Sequence, residues 1–318
     1  MLDRDCWLVL GGIGGLLSLA TVVAIVLRTV VTAPVKKPAI ENLYDRIVAW
    51  WFMVAILTAA MWLGKAATLV LFGLISFRAL REVVTLTYTR RGDHRTLFWA
   101  FLIAVPLQFV LIGVNWYGLF IVMLPVWGFI FFSIRSALGG DVTRFHERAS
   151  RVFWAVMICV FCVSHAPGLL MLDLPTSNHY SILIGYGPKL LIFLLVVVQL
   201  SDVLQYCWGK ALGKHKVVPR LSPSKTWEGL IGGVLSASAV GAGLYWLTPF
   251  AWWQAGLLAL LICIMGFFGG LVMSAMKRDA GVKDWGTLIP GHGGVMDRID
   301  SLSFAAPVFF HAVRWWWG

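Results

Sequence analysis

"WQAGLLALLICIMGFFGGLVMSA", residues 253–275, runs for 23 residues without a charged side chain. About 20 apolar residues suffice for a helix to cross the hydrocarbon core of a bilayer. The stretch then breaks into "MKRDAGVKDWGTLIPGHGGVMDRIDSL", residues 276–302, which is polar, glycine-rich and charged. Working outward, the same alternation recurs along the chain. Of 318 residues, 59% are hydrophobic and 13% charged, with a mean hydropathy of +0.82, whereas a soluble domain carries roughly 25% charged residues. Only helices and closed barrels satisfy their backbone polar groups in lipid. Barrel strands would read as short alternating segments, and these runs are continuous. The sequence therefore predicts an all-α fold, a polytopic membrane helical bundle. Ten spans are expected, near 7–30, 47–63, 66–80, 97–113, 118–134, 152–170, 181–204, 229–247, 253–275 and 301–317, with nine as the chief alternative. Spans two and three are divided only by Gly64-Lys65, and the last is short and holds Pro307 and Arg314.

Charge orients the bundle. Loops 33–46, 78–96, 135–151, 205–228 and 277–300 hold 21 of the 26 Lys and Arg residues, and they alternate with loops that hold none, such as 113–118 and 247–252. Positively charged loops stay in the cytoplasm, which places both termini outside and residues 276–302 in the cytosol. The expected location is a bacterial inner membrane, with the polar site on its cytoplasmic face. The net charge of +11 is then a topology signal and a contact with anionic headgroups. Its spread over five membrane-hugging loops argues against nucleic acid. The start "MLDRDCW" mixes acidic and basic residues before a long apolar run, unlike a cleaved signal peptide.

Five cysteines suggest no disulfide framework. Cys159, Cys162 and His165 share a helical spacing inside a span, which reads as packing more readily than as a metal site. "GGIGG" at 11–15 and "GLIGG" at 229–233 contain G-x-x-x-G and read as close helix–helix contacts. A transporter or scramblase would need polar groups near the bilayer midplane, where only Gln108, Asn115 and Gln199 are scattered.

Two polar loops differ from the rest. In 201–229, Asp202 ends a span, and an ionisable residue there is a functional hypothesis. Lys210, Lys214, Lys216, Arg220 and Lys225 follow, and "SPSKT" surrounds Lys225 with the hydroxyls of Ser222, Ser224 and Thr226. Such a set suits phosphate oxygens, and equally suits a Ser-Pro turn with a helix cap. In 274–302, Gly281, Gly286, Gly291, Gly293 and Gly294 let backbone approach a ligand closely. Lys277, Arg278 and Lys283 supply cations; Asp284, Asp297 and Asp300 supply the hard oxygens that Mg²⁺ accepts beside substrate phosphates. Asp297 and Asp300, three apart, can share a helix face. Carboxylates beside an anion site are reconciled by a bridging divalent cation.

The spacing of Ser274, Lys277-Arg278, Lys283-Asp284, His292-Gly293-Gly294, Asp297-Arg298 and Asp300 resembles the signature of the phosphatidate cytidylyltransferase (CDP-diacylglycerol synthase) family. Asp202, Tyr206, Gly209-Lys210, Gly213-Lys214, Pro219 and "SPSKTWEG" at 222–229 resemble it too, so the likeness covers roughly 181–302. It implies an enzyme that transfers a cytidylyl group from CTP to phosphatidate, giving CDP-diacylglycerol and pyrophosphate, with Mg²⁺ (or Mn²⁺) as cofactor. The partners implied are CTP, a lipid phosphate and membrane lipids, and a homodimer is left open.

The implied roles are Asp297 as principal metal ligand, with Asp300, Asp202 and Asp284 as further candidates. Lys225, Lys277, Arg278 and Lys283 are expected on phosphates. Ser222, Ser224, Lys210, Arg220, His292, Gly293, Gly294 and Arg298 would bind substrate. Residues 181–318 form the expected catalytic region, and 1–180 the membrane-embedding one.

There are two departures, at Gly270 and Met273. The family's Gly-Asp-Leu-x-Glu-Ser reads Gly269-Gly270-Leu271-Val272-Met273-Ser274 here, so an Asp implicated in metal binding is a glycine. Asp202, Asp279 or Asp284 could join Asp297 instead, fewer protein ligands could suffice, or catalysis is impaired or altered, as in a catalytically impaired relative. An isoprenoid or ether-lipid phosphate is the alternative acceptor.

Overall fold

The computed structural model describes residues 2–30, 37–172, 174–175, 182–183, 185–288 and 293–317. Ten helical rods stand among them. They are α1 (Arg4–Val30), α2 (Lys37–Leu63), α3 (Lys65–Leu86), α4 (Arg91–Gly113), α5 (Tyr117–Ala137), α6 (Phe145–Met171), α7 (Tyr186–Leu212), α8 (Trp227–Gly243), α9 (Trp252–Asp279) and α10 (Met296–Trp317).

Seven of the ten are long and apolar enough to cross a membrane: α1, α2 and α4 to α7, together with α9. The other three differ from the expected spans for visible reasons. α3 carries Arg78, Arg81 and Glu82, α8 has 17 residues, and α10 begins with Asp297, Arg298 and Asp300. Spans two and three are separate helices, because Gly64 turns the chain at φ 112°, a conformation open mainly to glycine. α10 continues through Pro307 to Trp317.

The rods α4, α5 and α6 each contain a π-helical stretch, at 100–104, 123–128 and 157–162. Pro106, Pro125 and Pro167 lie within or just after these stretches. A proline has no N–H to donate to the preceding turn, and widening that turn accommodates it. Two short antiparallel ribbons interrupt the helices: β1 (Leu174–Pro175) with β2 (Ile182–Leu183), and β3 (Lys216–Val218) with β4 (Ser222–Thr226).

One apolar core runs from Cys6 to Val313 and includes residues from both sides of position 180. The last four rods pack most closely, through glycine. A Cβ on Gly233 would stand 2.6 Å from Gln205 Cα of α7, and one on Gly269 would stand 2.9 Å from Asp300 O of α10. "GLIGG" is thus the close contact its pattern suggests. "GGIGG" is not: nothing lies within 4 Å of a Cβ placed on Gly11, Gly12, Gly14 or Gly15. α1 and α2 flank the bundle with most of their surface exposed.

The basic loops gather at one face. Glu82, near the end of α3, touches residues 295–296, and Arg151 lies 3.5 Å from Asp279. At the opposite face Lys189 Nζ meets Asp3 at 2.7 Å and Asp5 at 2.6 Å, and Lys65 bonds Asn115. Cys159 and His165 are packing residues: the first touches Met296 Sδ, and the second, its ring bonded to Phe161 O, lies among aromatic rings.

Candidate active site

The site is built where α7, β4, α9 and the start of α10 converge. Thr226 ends β4 and caps α8, its hydroxyl accepting from Gly229 N at 3.1 Å. This cap aims the preceding Lys225 inward. Lys225 Nζ donates to Phe267 O at 3.3 Å, over the Phe267 ring at 4.5 Å. A Cβ at position 270 would lie 2.9 Å from that Nζ. The ammonium therefore occupies the space that a side chain at 270 would need. Met273, the other departure from the family pattern, is fully buried in the core.

Around Lys225 stand Asp202, Asp300 and Lys277, close enough to act on its charge. Burial pushes the Lys225 ammonium below the usual lysine range, against the pull of the two carboxylates. Ser301 joins the carboxylates: its hydroxyl donates to Asp202 Oδ1 at 3.1 Å, and its N–H to Asp300 Oδ1 at 2.8 Å. Their Oδ2 atoms take no hydrogen bond among the described residues.

Asp297, buried at the start of α10, has a different position. Its Oδ1 accepts from Lys277 Nζ at 2.8 Å, and its Oδ2 from Trp285 N at 2.7 Å and Gly294 N at 2.9 Å. It holds Lys277 and folds the loop back on itself, so Asp297 and Asp300 serve different neighbours. Arg298 Nε is buried without an acceptor among the described residues, while its carbonyl accepts from Gln199.

The other expected residues are spread more widely. Ser222 is buried, whereas Ser224, Lys210, Arg220, Arg278, Lys283 and Asp284 are exposed around the site. Arg278 donates to Val282 O and Lys210 lies over the Tyr206 ring. Asp279 lies beside Arg151, at the loop's exposed edge. Gly293 has φ +82°, with Asp297 Oδ2 and Asp284 Cβ beside it. The N–H of Gly294 is already taken by Asp297, so the cradle expected from this backbone is satisfied from within. His292 and Gly291 lie outside the described residues. The ribbon that carries Ser222 is latched by Glu228, which accepts from Lys214 N, His215 N and His215 Nδ1. These donors and the α8 terminus hold its carboxyl down to about 2.

Sequence reasoning missed Glu82. Its Oε1 accepts from Val295 N at 2.9 Å and its Oε2 from Met296 N at 2.8 Å, at the N-terminus of α10. The available signal was one carboxylate at the end of an apolar span, next to Arg81.

Two loops thus bring cations to a pair of half-buried carboxylates at the end of a membrane bundle. The model of the "Cytidylyltransferase family" matches residues 44–316. The chain belongs to the cytidylyltransferase family.

Among other members, an Escherichia coli K12 protein described as uncharacterized, YnbB, is 45% identical over 85% of this chain and 87% of its own length. A phosphatidate cytidylyltransferase of Brucella abortus is 44% identical over 39% of this chain and 47% of its own. One from Staphylococcus saprophyticus is 39% identical over 38% and 48%. The chain thus aligns with about half the length of those two cytidylyltransferases, and with most of YnbB.

Two carboxylates here could hold a divalent cation. No group of three or more His, Cys, Asp or Glu stands together to hold a metal among the described residues. Mg²⁺ is ordinarily held by one or two carboxylates plus phosphate oxygens. The Asp202–Asp300 pair, with an oxygen of each left over, matches that donor set.

Proposed function

We infer that this cytidylyltransferase moves the cytidylyl group of CTP onto a lipid phosphate, with phosphatidate as acceptor and CDP-diacylglycerol and pyrophosphate as products. The observation that carries this reading is Lys225. It reaches through the opening at Gly270 and stands with Lys277 beside Asp202 and Asp300, joining the two signature loops into one polar site. The positive loops that share this face support a position at the cytoplasmic surface of the inner membrane.

In the reaction a lipid-phosphate oxygen forms a bond to the α-phosphorus of CTP, and the α–β bridging P–O bond breaks. Its electron pair leaves with pyrophosphate. A phosphomonoester with a second pKa near 6 is largely dianionic at neutral pH, so the nucleophile needs no strong base. The obstacle is repulsion between two polyanions, and positioning with cationic clamping overcomes it. Lys225 and Lys277 serve the phosphates, with Lys277 oriented by Asp297. Arg298 Nε is a buried donor for a phosphate oxygen, while Arg278 and Lys283 draw nucleotide from solution. Asp202 and Asp300 would hold Mg²⁺ (or Mn²⁺), a role first expected of Asp297. When bound, that ion draws charge from the phosphate oxygens.

A groove of about 410 Å³ between α6, α9 and α10 supports a lipid acceptor. Phe153, Trp154, Met157, Met265, Phe304 and Val308 line it. Phe304 lies one turn beyond Asp300, so an alkyl chain seated there leaves its phosphate near the carboxylates. A second reading takes an isoprenoid or ether-lipid phosphate as acceptor, since the phosphatidate cytidylyltransferases match over only about half their length.

Purified protein in phospholipid nanodiscs, given labelled CTP, Mg²⁺ and a panel of lipid phosphates, tests both. Labelled CDP-lipid and pyrophosphate are expected, and the best acceptor chooses between the readings. Lys225→Ala is expected to lower turnover by about 10³-fold, as loss of a cationic contact does in phosphoryl transfer. Mn²⁺ binding followed by electron paramagnetic resonance, without nucleotide, is expected to weaken in Asp202→Asn and Asp300→Asn. No product from any acceptor rejects the proposed activity.

A further inference from the structure

α3 lies outside the segment 181–302 that carries the signature, yet one of its side chains is fastened to that signature. Glu82 receives two N–H groups at the α10 N-terminus, Val295 and Met296. These are among the donors that a helix leaves without intrahelical partners, and a carboxylate there also complements the helix dipole. The next residue is Asp297, which holds Lys277.

The loop is shaped around this carboxylate. A Cβ on Gly286 would stand 3.0 Å from Glu82 Oε1, and one on Gly294 would overlap Oε2. Glu82 thus sits in a slot between the two backbone segments that Asp297 Oδ2 also ties together, through Trp285 N and Gly294 N. Two carboxylates, one from each half of the chain, grip the same loop.

We propose that Glu82 is a positioning residue for cytidylyl transfer: it fixes residues 294–296 so that Asp297 presents Lys277 beside Lys225, making the first half of the chain part of the active site. This rests on the proposed activity. Glu82 touches no reacting atom and acts through Asp297.

Glu82→Ala and Glu82→Gln in nanodiscs separate positioning from folding. Misplacement of a catalytic group by about 1 Å costs up to about 10²-fold in rate. The expected order of kcat is therefore wild type, then Gln, which keeps one acceptor, then Ala. The KM for CTP is expected to hold within about threefold, since a loss confined to the transition state lowers kcat rather than ground-state binding. Amide hydrogen exchange of peptides covering 293–297 is expected to quicken in Glu82→Ala, while exchange in α7 and α9 stays unchanged.

Gly286→Ala is expected to cost activity in wild type and less in the Glu82→Ala background, where its contact with Glu82 is gone and only the 3.2 Å approach to Gly294 Cα remains. Unchanged kcat in Glu82→Ala, equal losses from Gly286→Ala in both backgrounds, or unchanged exchange at 293–297 each overturn the proposal. If the wild-type protein transfers no cytidylyl group, the activity fails by itself, and the exchange experiment still decides whether Glu82 holds the loop.

Discussion

Gly270 and Lys225 show how one residue resets a site. With no side chain at 270, the ammonium rests against the α9 backbone at Phe267 O. Gly270→Asp is expected to displace Lys225 into an ion pair and to add a third carboxylate beside Asp202 and Asp300. Tighter Mn²⁺ binding without nucleotide, read by paramagnetic resonance, checks it; unchanged binding would show that position 270 does not face the carboxylates.

A second expectation concerns pH. Burial lowers the Lys225 pKa, so this ammonium loses its proton at lower pH than an exposed lysine does. Its contact with phosphate fades as pH rises. Lys225→Arg keeps its charge, and the alkaline limb of its rate profile is expected at higher pH than that of wild type. Coincident limbs would refute this.

The residues of this site were legible to different degrees. Lys225, Lys277, Asp202 and Asp300 stand out by spacing, because loop motifs keep fixed intervals. The division of labour between Asp297 and Asp300 was not legible. Backbone donors that arrive from Trp285 and Gly294 decide it, and spacing carries no record of them. Glu82 lies more than two hundred residues from its partners and could be placed only by the packing of α3.

At the scale of elements, α7 and α8 are set by glycine. Gly233→Ala would gain helix propensity worth about 0.5–1 kcal/mol. The new Cβ, however, would stand 2.6 Å from Gln205 Cα, and overpacking against backbone costs about 1–3 kcal/mol. The net effect is a lower melting temperature in detergent; an unchanged or higher one would mean that the two helices separate without cost. Length and hydropathy located the rods well, since both are sums over many residues. The rod ends were less legible: α7 runs eight residues past the expected 204 to Leu212, because Gly209 and Gly213 pass close to Thr226 and Gly229 and let polar turns pack beside α8.

For the whole molecule, the arrangement of basic loops makes an orientation testable. Cys207 is exposed on the site's side of α7, whereas Cys6, Cys159 and Cys263 are buried. A membrane-impermeant maleimide is expected to label Cys207 in inside-out vesicles and not in intact spheroplasts; the reverse pattern would invert the bundle.

Beneath the same face, Arg148 and Asp93 form a buried pair at 2.9 Å, each about 3% exposed. It ties the first turn of α4 to the first turn of α6. Arg148→Ala leaves Asp93 uncompensated, which costs about 3–5 kcal/mol, and a corresponding loss of thermal stability is expected.

Lys189 has a consequence for biogenesis. Its ammonium neutralises Asp3 and Asp5, and Asp5 precedes it by 184 residues. Domains and their segments emerge from the ribosome in order, so those two acids remain without their cation until α7 begins to appear. The ion pairs that tie the first rod to α7 therefore form late, after the intervening helices have emerged, and they fasten its end to the same rod that carries Asp202 toward its other end.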